Sequence, residues 1–272
     1  MQSEGSERTY PLGKAYDGGM HVVHAADWQA YAAATDDPES AYTEVAPPMF
    51  HVRPFIRMML GMAGDDELDI DMLRLVHGEH AVAFHRLLRD GEALHVTGTL
   101  ASVVAKPSGR IFTFGLRGAV GDDEVLTGTT SYFIRAKNPP PRGPRKPAPE
   151  LPEPSFTVAQ PVSEDQALRY AAASGDDNPI HTDPATAKAA GLPGCILHGL
   201  CTMAFAQRDL VARYAPGEPQ RLAELAVRFA KPVFPGDTLT LEVWEGDDGA
   251  VTFQTRDGKG KPVITGGRAR IR

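Results

Sequence analysis

The chain has 272 residues, with 28 Lys+Arg against 35 Asp+Glu and a formal net charge of −7. Such a surface repels a phosphodiester backbone and, with no basic run in the sequence, excludes general nucleic-acid binding. Hydrophobic residues make up 42% and charged residues 23%, and no apolar run approaches the ~18–20 residues that a bilayer span requires, which excludes a membrane-embedded role. At ~150 residues per domain the length predicts about two domains.

The opening Met1-Gln2-Ser3-Glu4-Gly5-Ser6-Glu7 carries acid where an export signal needs base, so the expected location is the cytoplasm. The first half then reads as a helix through Tyr31-Ala-Ala-Ala-Thr35-Asp36-Asp37, an irregular segment, a longer apolar helix carrying Met58, Met59 and Met62, and several strands ending with Thr127 to Arg135. The methionines read as deformable core. His77, His80 and His85 match no metal-site spacing, and the stretch after them alternates like a strand, so no metal is expected there. From Pro139 to Pro154 the chain holds eight of its 23 prolines with Arg142, Arg145 and Lys146 among them. That composition makes a stiff, extended linker. The expected organisation is therefore a first unit over 1–138, a linker over 139–154 and a second unit over 155–272.

In the second unit, Ser163-Glu164-Asp165-Gln166 has the form of a capping box for a helix to about Ala173. Asn178-Pro179 must break that helix, because proline disfavours helical geometry in the residue before it. Asp183 and Pro184 suit the cap and first turn of a short helix ending near Gly191. Cys195 and Cys201 are too few for a disulfide framework or thiolate metal site and read as buried, reduced packing residues. Leu200 to Tyr214 sets Met203, Leu210, Val211 and Tyr214 near one face of a buried helix. Ala223 to Phe229, Thr238 to Trp244, Ala250 to Arg256 and Pro262 to Ile271 alternate as antiparallel strands do.

The halves repeat. Tyr31 to Asp37 lies over Tyr170 to Asp176 at an offset of 139, and from Phe84 onward an offset of 145 sets Phe84 on Phe229 and Asp90-Gly91 on Pro235-Gly236. The six extra residues of the second half fall within Thr182 to Gly191. Two copies of a sheet curled around a central helix would pair edge to edge and remove their exposed edges.

Two features carry chemistry. Asp176 and His181, five apart on a tight loop, can converge on one water, as general acid–base catalysis requires. Gly199, at the start of the buried helix, leaves free N–H groups at the positive end of the dipole, which suits a developing oxyanion. The string Tyr170-x3-Ser174-Gly175-Asp176-x-Asn178-Pro179-Ile180-His181-x5-Ala187, with Leu192-Pro193-Gly194 and Ile196-Leu197-His198-Gly199 beyond it, resembles the signature of the MaoC-like (R)-specific enoyl-CoA hydratases. The resemblance is strongest over 155–272, and the first half follows only the general pattern.

The resemblance implies an α+β double hot dog fold, with two antiparallel sheets, each wrapped around a central helix, joined edge to edge. It implies that Asp176 and His181 activate a water that adds to carbon 3 of a trans-2-enoyl thioester while a proton reaches carbon 2 on the same face. Gly199 N–H would hold the thioester oxygen and Asn178 would brace the loop. His198, on the loop that enters the buried helix, reads as packing or hydrogen bonding to hold Gly199, with a third acid–base group as the alternative. Neither metal nor redox cofactor is implied. The expected partner is an acyl thioester of coenzyme A or acyl carrier protein, with Lys231, Arg228 and Arg208 near in sequence as a basic rim, and a homodimer is expected. Asp177 is expected to face solvent. The alternatives are a hot dog acyl-thioester thioesterase and a non-catalytic acyl-thioester-binding protein.

The first half departs from this pattern. Asp37 falls at the position of Asp176, but Glu39, Ser40 and Tyr42 replace Asn178, Pro179 and His181. Arg53-Pro54 falls near His198-Gly199, and proline has no N–H to offer an oxyanion. The first half is therefore expected to lack catalysis and, with its short helix lost, to give room to the acyl chain.

Overall fold

Two similar runs of elements follow one another. The first consists of β1 (Ala15–Val22), α1 (Ala25–Ala34), α2 (Val52–Ala63), β2 (Leu75–Phe84), β3 (Ala93–Lys106), β4 (Gly109–Val120) and β5 (Asp123–Arg135). The second consists of β6 (Phe156–Pro161), α3 (Gln166–Ser174), α4 (Pro184–Ala189), α5 (Gly199–Tyr214), β7 (Leu222–Phe229), β8 (Thr238–Glu245), β9 (Ala250–Arg256) and β10 (Pro262–Ile271). The computed structural model describes residues 9–38, 41–141 and 151–272. The acidic opening stretch, Glu39, Ser40 and most of the proline-rich linker lie outside the described residues.

The strands form one antiparallel sheet in the order β1-β3-β4-β5-β2-β7-β10-β9-β8-β6. The halves meet at β2 and β7, whose ladder runs from Glu79↔Arg228 to Ala83↔Glu224 with Ala81↔Ala226 at its centre. The central pair is 145 residues apart, so each strand meets its own counterpart across a local two-fold axis. The earlier register returns on the helix side, where the Tyr31 and Tyr170 hydroxyls, 139 apart in sequence, lie at 3.2 Å. Helices α1 and α3 thus pack side by side.

Each half opens with a strand that the sequence reading lacks. Strands β1 and β6 form the two outer edges of the sheet. In β1 the register slips between Asp17 and Gly19, which breaks the alternation that marks a strand. The other expected elements fall where the periodicity places them, including the capping of α4, where Asp183 accepts from the N–H groups of Ala185 and Thr186 at 3.2 and 2.9 Å. Only half of the expected box at Ser163 forms, with Gln166 Oε1 accepting from Ser163 N–H at 3.3 Å.

The core lies between the sheet and the helices. Leu94, Val96 and Leu100 on β3 and Leu239, Leu241 and Val243 on β8 are all fully buried, each burial contributing roughly 1.5–3 kcal/mol. Met58, Met59 and Met62 of α2 are also core, and the sulfurs of Met58 and Met62 sit against Gly18 and Gly98, where a Cβ would come within 3.1 and 2.7 Å of them. Cys201 is buried and Cys195 half-buried, and both are free thiols. Among the described residues no helix is long and apolar enough to cross a membrane.

The start of α2 corrects the sequence alignment. A 3-10 turn, Pro48–His51, leads into the helix, so its capping residue is His51 and not Arg53, matching His198 at the start of α5. The N–H groups at this junction are spent on the carbonyls of Met49 and Phe50.

Candidate active site

Helix α3 ends at Gly175 in the left-handed conformation, φ +77°, which glycine adopts without a steric penalty. The chain then makes two successive side-chain-braced turns. Asp176 accepts from Asn178 N–H at 3.3 Å, and Asn178 Oδ1 accepts from Ile180 N–H at 3.3 Å. These turns bring His181 back beside Asp176, and α4, capped by Asp183, anchors the far end of the loop.

The ring of His181 has a defined tautomer. Its Nδ1 lies 2.8 Å from the carbonyl oxygen of Ile196, which can only accept, so Nδ1 carries the hydrogen and Nε2 presents a lone pair. His198 stacks on this ring with centroids 3.7 Å apart, and Tyr170 lies behind it at 4.9 Å. His198 Nε2 donates to the main-chain oxygen of Asp176 at 3.1 Å. His198 therefore ties the capping residue of α5 to the Asp176 loop.

Burial sets the protonation states. It pushes the Asp176 carboxyl up from the usual carboxylate range, opposed by the neighbouring His181 and by Asn178 N–H. It pushes His181 down, opposed by Asp176 and the Ile196 carbonyl. His198 is driven down to about 2, mainly by burial and then by His181, so it is neutral.

The ligating atoms of Asp176, His181 and His198 lie within 4.8 Å of one another. Imidazole binds metals in its ring plane, whereas these two rings are stacked face to face at 25° and His198 Nε2 is already spent as a donor to the Asp176 carbonyl. The donor set fits a shared water better than a metal.

Gly199 follows His198 directly. Among the described residues no hydrogen bond claims the N–H of Gly199, while those of Cys201 and Thr202 turn back to the His198 carbonyl. A side chain here would collide with the Phe229 ring, whose carbons lie 3.0–3.3 Å from a Cβ at this position. Asp177 points to solvent, 69% exposed, and meets Arg57 at 3.7 Å.

The first half supports this site from behind. Arg53 of α2 donates to the carbonyl of Ala173 at 2.7 Å and to Asp27 at 2.8 Å, clamping the end of α3. Sequence reasoning missed this role because the contact spans the halves and belongs to no local motif.

The counterpart position is closed. Tyr42 donates to Asp37 at 2.7 Å, Gln207 of α5 donates to the same oxygen at 3.3 Å, and Asp37 is only 6% exposed. Arg208, expected on a basic rim, is spent here instead, bonded to the carbonyls of Thr35 and Asp36 and to Asp209. Arg228 stays exposed with Glu79 at 3.9 Å, and Lys231 is exposed two residues before Val233, which bridges to Leu197.

The chain is similar to known proteins in both sequence and fold. Residues 149–266 match the MaoC like domain, and residues 12–123 match the FAS1-like dehydratase domain region. 3-Hydroxyacyl-thioester dehydratase Y of Mycobacterium tuberculosis is 38% identical over 190 residues, 66% of this chain and 65% of that protein. The peroxisomal enoyl-CoA hydratase 2 of Arabidopsis thaliana is 32% identical over 215 residues, 73% of this chain and 68% of its own length. The chain belongs to the MaoC-like dehydratase family. It spans only part of dehydratase Y, with about a third of that protein unmatched. The crystal structure of a MaoC-like dehydratase from Phytophthora capsici, 26% identical, superposes with a TM-score of 0.84 over 96% of this MaoC-like chain and 95% of its own. The continuous sheet with a central helix in each half is the double hot dog form of the fold.

Proposed function

We propose that this MaoC-like protein hydrates trans-2-enoyl thioesters to (3R)-hydroxyacyl thioesters, or catalyses the reverse dehydration, at a single site. The observation that carries this reading is the convergence of the Asp176 carboxylate and the His181 Nε2 lone pair beside the unclaimed N–H of Gly199.

A water between two acceptors donates one hydrogen to each and turns its own lone pair to carbon 3. As the C–O bond forms, the electrons of the double bond move to the thioester oxygen, where Gly199 N–H holds the enolate, an arrangement worth about 2.7–4 kcal/mol. One of the pair keeps the water's proton and returns it to carbon 2 on the same face, regenerating both groups. Asn178 keeps Asp176 in place, and His198, being neutral, stacks on His181 without opposing its transient charge. The carrier, coenzyme A or an acyl carrier protein, is anionic, and exposed Arg228 and Lys231 suit its phosphates. The first half serves as the non-catalytic unit that receives the acyl chain, its methionine-lined interior deforming at low cost. The exposed Met20 and Val22 of edge strand β1 support pairing with a second copy.

The test follows the absorbance of the enoyl thioester with crotonyl- and decenoyl-CoA. Loss of the band without thiol release is expected, and D176N and H181Q should each be ~10²–10⁴-fold slower. Thiol release would identify a thioesterase, and a variant within tenfold of wild type would overturn the assigned roles.

A further inference from the structure

Strand β2 carries a bulge. Its pairing with β5 slips between His77 and Glu79, at Gly78, where a Cβ would come within 2.9 Å of the Ser131 hydroxyl. A bulge re-aims side chains, and here it brings His77 and His80 together on the helix-bearing face, ring centroids 5.7 Å apart. Opposite them on β5 stand Tyr132, paired with His77, and Thr130, paired with His80. Thr130 Oγ1 lies 2.8 Å from His77 Nε2.

The second half supplies an internal control. In the β7–β10 ladder the corresponding pairs are Leu222 with Ile271 and Leu225 with Ala269. The two leucines stand 145 residues after the two histidines, the separation that the central Ala81↔Ala226 pair defines. Four apolar residues therefore satisfy the fold at these positions, and the polar quartet of the first half is an addition. It also lies toward the live site. The ring of His77 is 4.8 Å from that of Phe229, the ring that covers Gly199, and Tyr132 feels the charge of Asp176.

Hydrogen-bond direction fixes what the quartet lacks. The Pro48 carbonyl, 3.0 Å from His51 Nδ1, can only accept, so that nitrogen carries the hydrogen and His51 Nε2 is an acceptor. His80 Nε2, 3.2 Å away, must donate to it. His80 Nδ1 is then a bare lone pair on a ring only 1% exposed, with no hydrogen-bond partner among the described residues. An acceptor kept buried without a donor is costly.

We infer that His77, His80, Thr130 and Tyr132 form a subsite for a hydroxyl group on the acyl chain, whose O–H donates to His80 Nδ1. A plain chain, or one bearing only a ketone, offers no such donor. The inference rests on the hydration site at Asp176 and His181, since it places the acyl chain beyond Gly199.

The experiment compares trans-2-decenoyl-CoA with a series carrying one hydroxyl at each carbon from C6 to C10, using wild type, H80L and T130V. For at least one position wild type should prefer the hydroxylated substrate by about tenfold in kcat/KM, the worth of one neutral hydrogen bond. H80L, which installs the residue of the second half, should bring that ratio to about one. T130V serves should H80L fail to fold, and should lower the ratio severalfold. Crotonyl-CoA, which carries no hydroxyl, reports separately on the hydration reading. Should no hydration occur at all, calorimetric binding of saturated hydroxydecanoyl-CoA against decanoyl-CoA reads the same preference. A ratio below two at every position, or a preference that survives both substitutions, overturns the inference and leaves His80 Nδ1 with an ordered water only.

Discussion

Three buried histidines, His51, His80 and His198, set against the buried carboxyl of Asp37, should by themselves cost the fold about 5 kcal/mol when the pH is lowered from 7 to 5. His51, His80 and His198 are 2%, 1% and 1% exposed. Burial holds His51 at about 4, His198 at about 2 and His80 well below the usual imidazole value. In the unfolded chain each titrates near 6.5, so below that pH the unfolded state binds protons that the native state refuses, and stability falls as pH falls. At pH 5, some 1.5 units below the unfolded value, each imidazole costs about 2 kcal/mol and the three together about 6. Asp37 opposes them. Burial raises its carboxyl to about 6, so between pH 6 and 4 the native state takes up a proton that the unfolded state does not, returning about 1.4 kcal/mol at pH 5. The net loss is comparable to the whole stability of a typical domain, ~5–15 kcal/mol. Urea unfolding followed by fluorescence of Trp28 and Trp244 at pH 7, 6 and 5 measures it. H80L should shrink the loss by about 2 kcal/mol. Stability equal at pH 7 and 5 within about 1 kcal/mol would refute the account of these histidines as neutral, buried groups.

Other outcomes bear on the site. In G199A the new methyl meets the Phe229 ring at 3.0–3.3 Å, so kcat for crotonyl-CoA should fall ~10²–10³-fold with a smaller change in KM; a kcat within threefold of wild type would remove Gly199 N–H from the mechanism. Y42F deletes the shorter of the two donors to buried Asp37, leaving Gln207, and should lower unfolding stability by about 1–3 kcal/mol while leaving hydration by the folded protein unchanged, and a tenfold loss of kcat would mean that the first-half site works. In the proposed mechanism the active form pairs ionised Asp176 with neutral His181, and one added proton disables it. A plot of log kcat/KM should therefore drop with unit slope on the acid side of the pair's first apparent pKa, and a profile with only an alkaline limb would require a protonated His181 instead.

The duplication was legible because it leaves two kinds of mark, a repeated string around Tyr31 and Tyr170 and matched strand starts at Phe84 and Phe229. The shape of the loop from Asp176 to Asp183 was legible because Asn178-Pro179 breaks the helix before it and Asp183-Pro184 starts the one after it. Edge strands β1 and β6 were not, since a glycine pair interrupts the alternation of one and the other is only six residues long. The start of α2 was misplaced by two residues because a 3-10 turn absorbs chain without a distinctive sequence. Arg53 and the histidines of β2 stayed unread for a different reason, since their roles arise from packing between halves and from one bulge, and neither has a period.

The Ala81↔Ala226 axis has a consequence for what this molecule is free to become. In a pair of identical subunits every substitution appears twice, and a histidine placed behind one reaction centre must also be placed behind the other. Joining the copies in one chain lifts that constraint. Positions 77 and 222, or 80 and 225, occupy mirrored places on one sheet yet answer to separate codons, so one side can become reactive and the other discriminating. The covalent join thus allows a division of labour that a symmetric assembly of one gene product cannot encode.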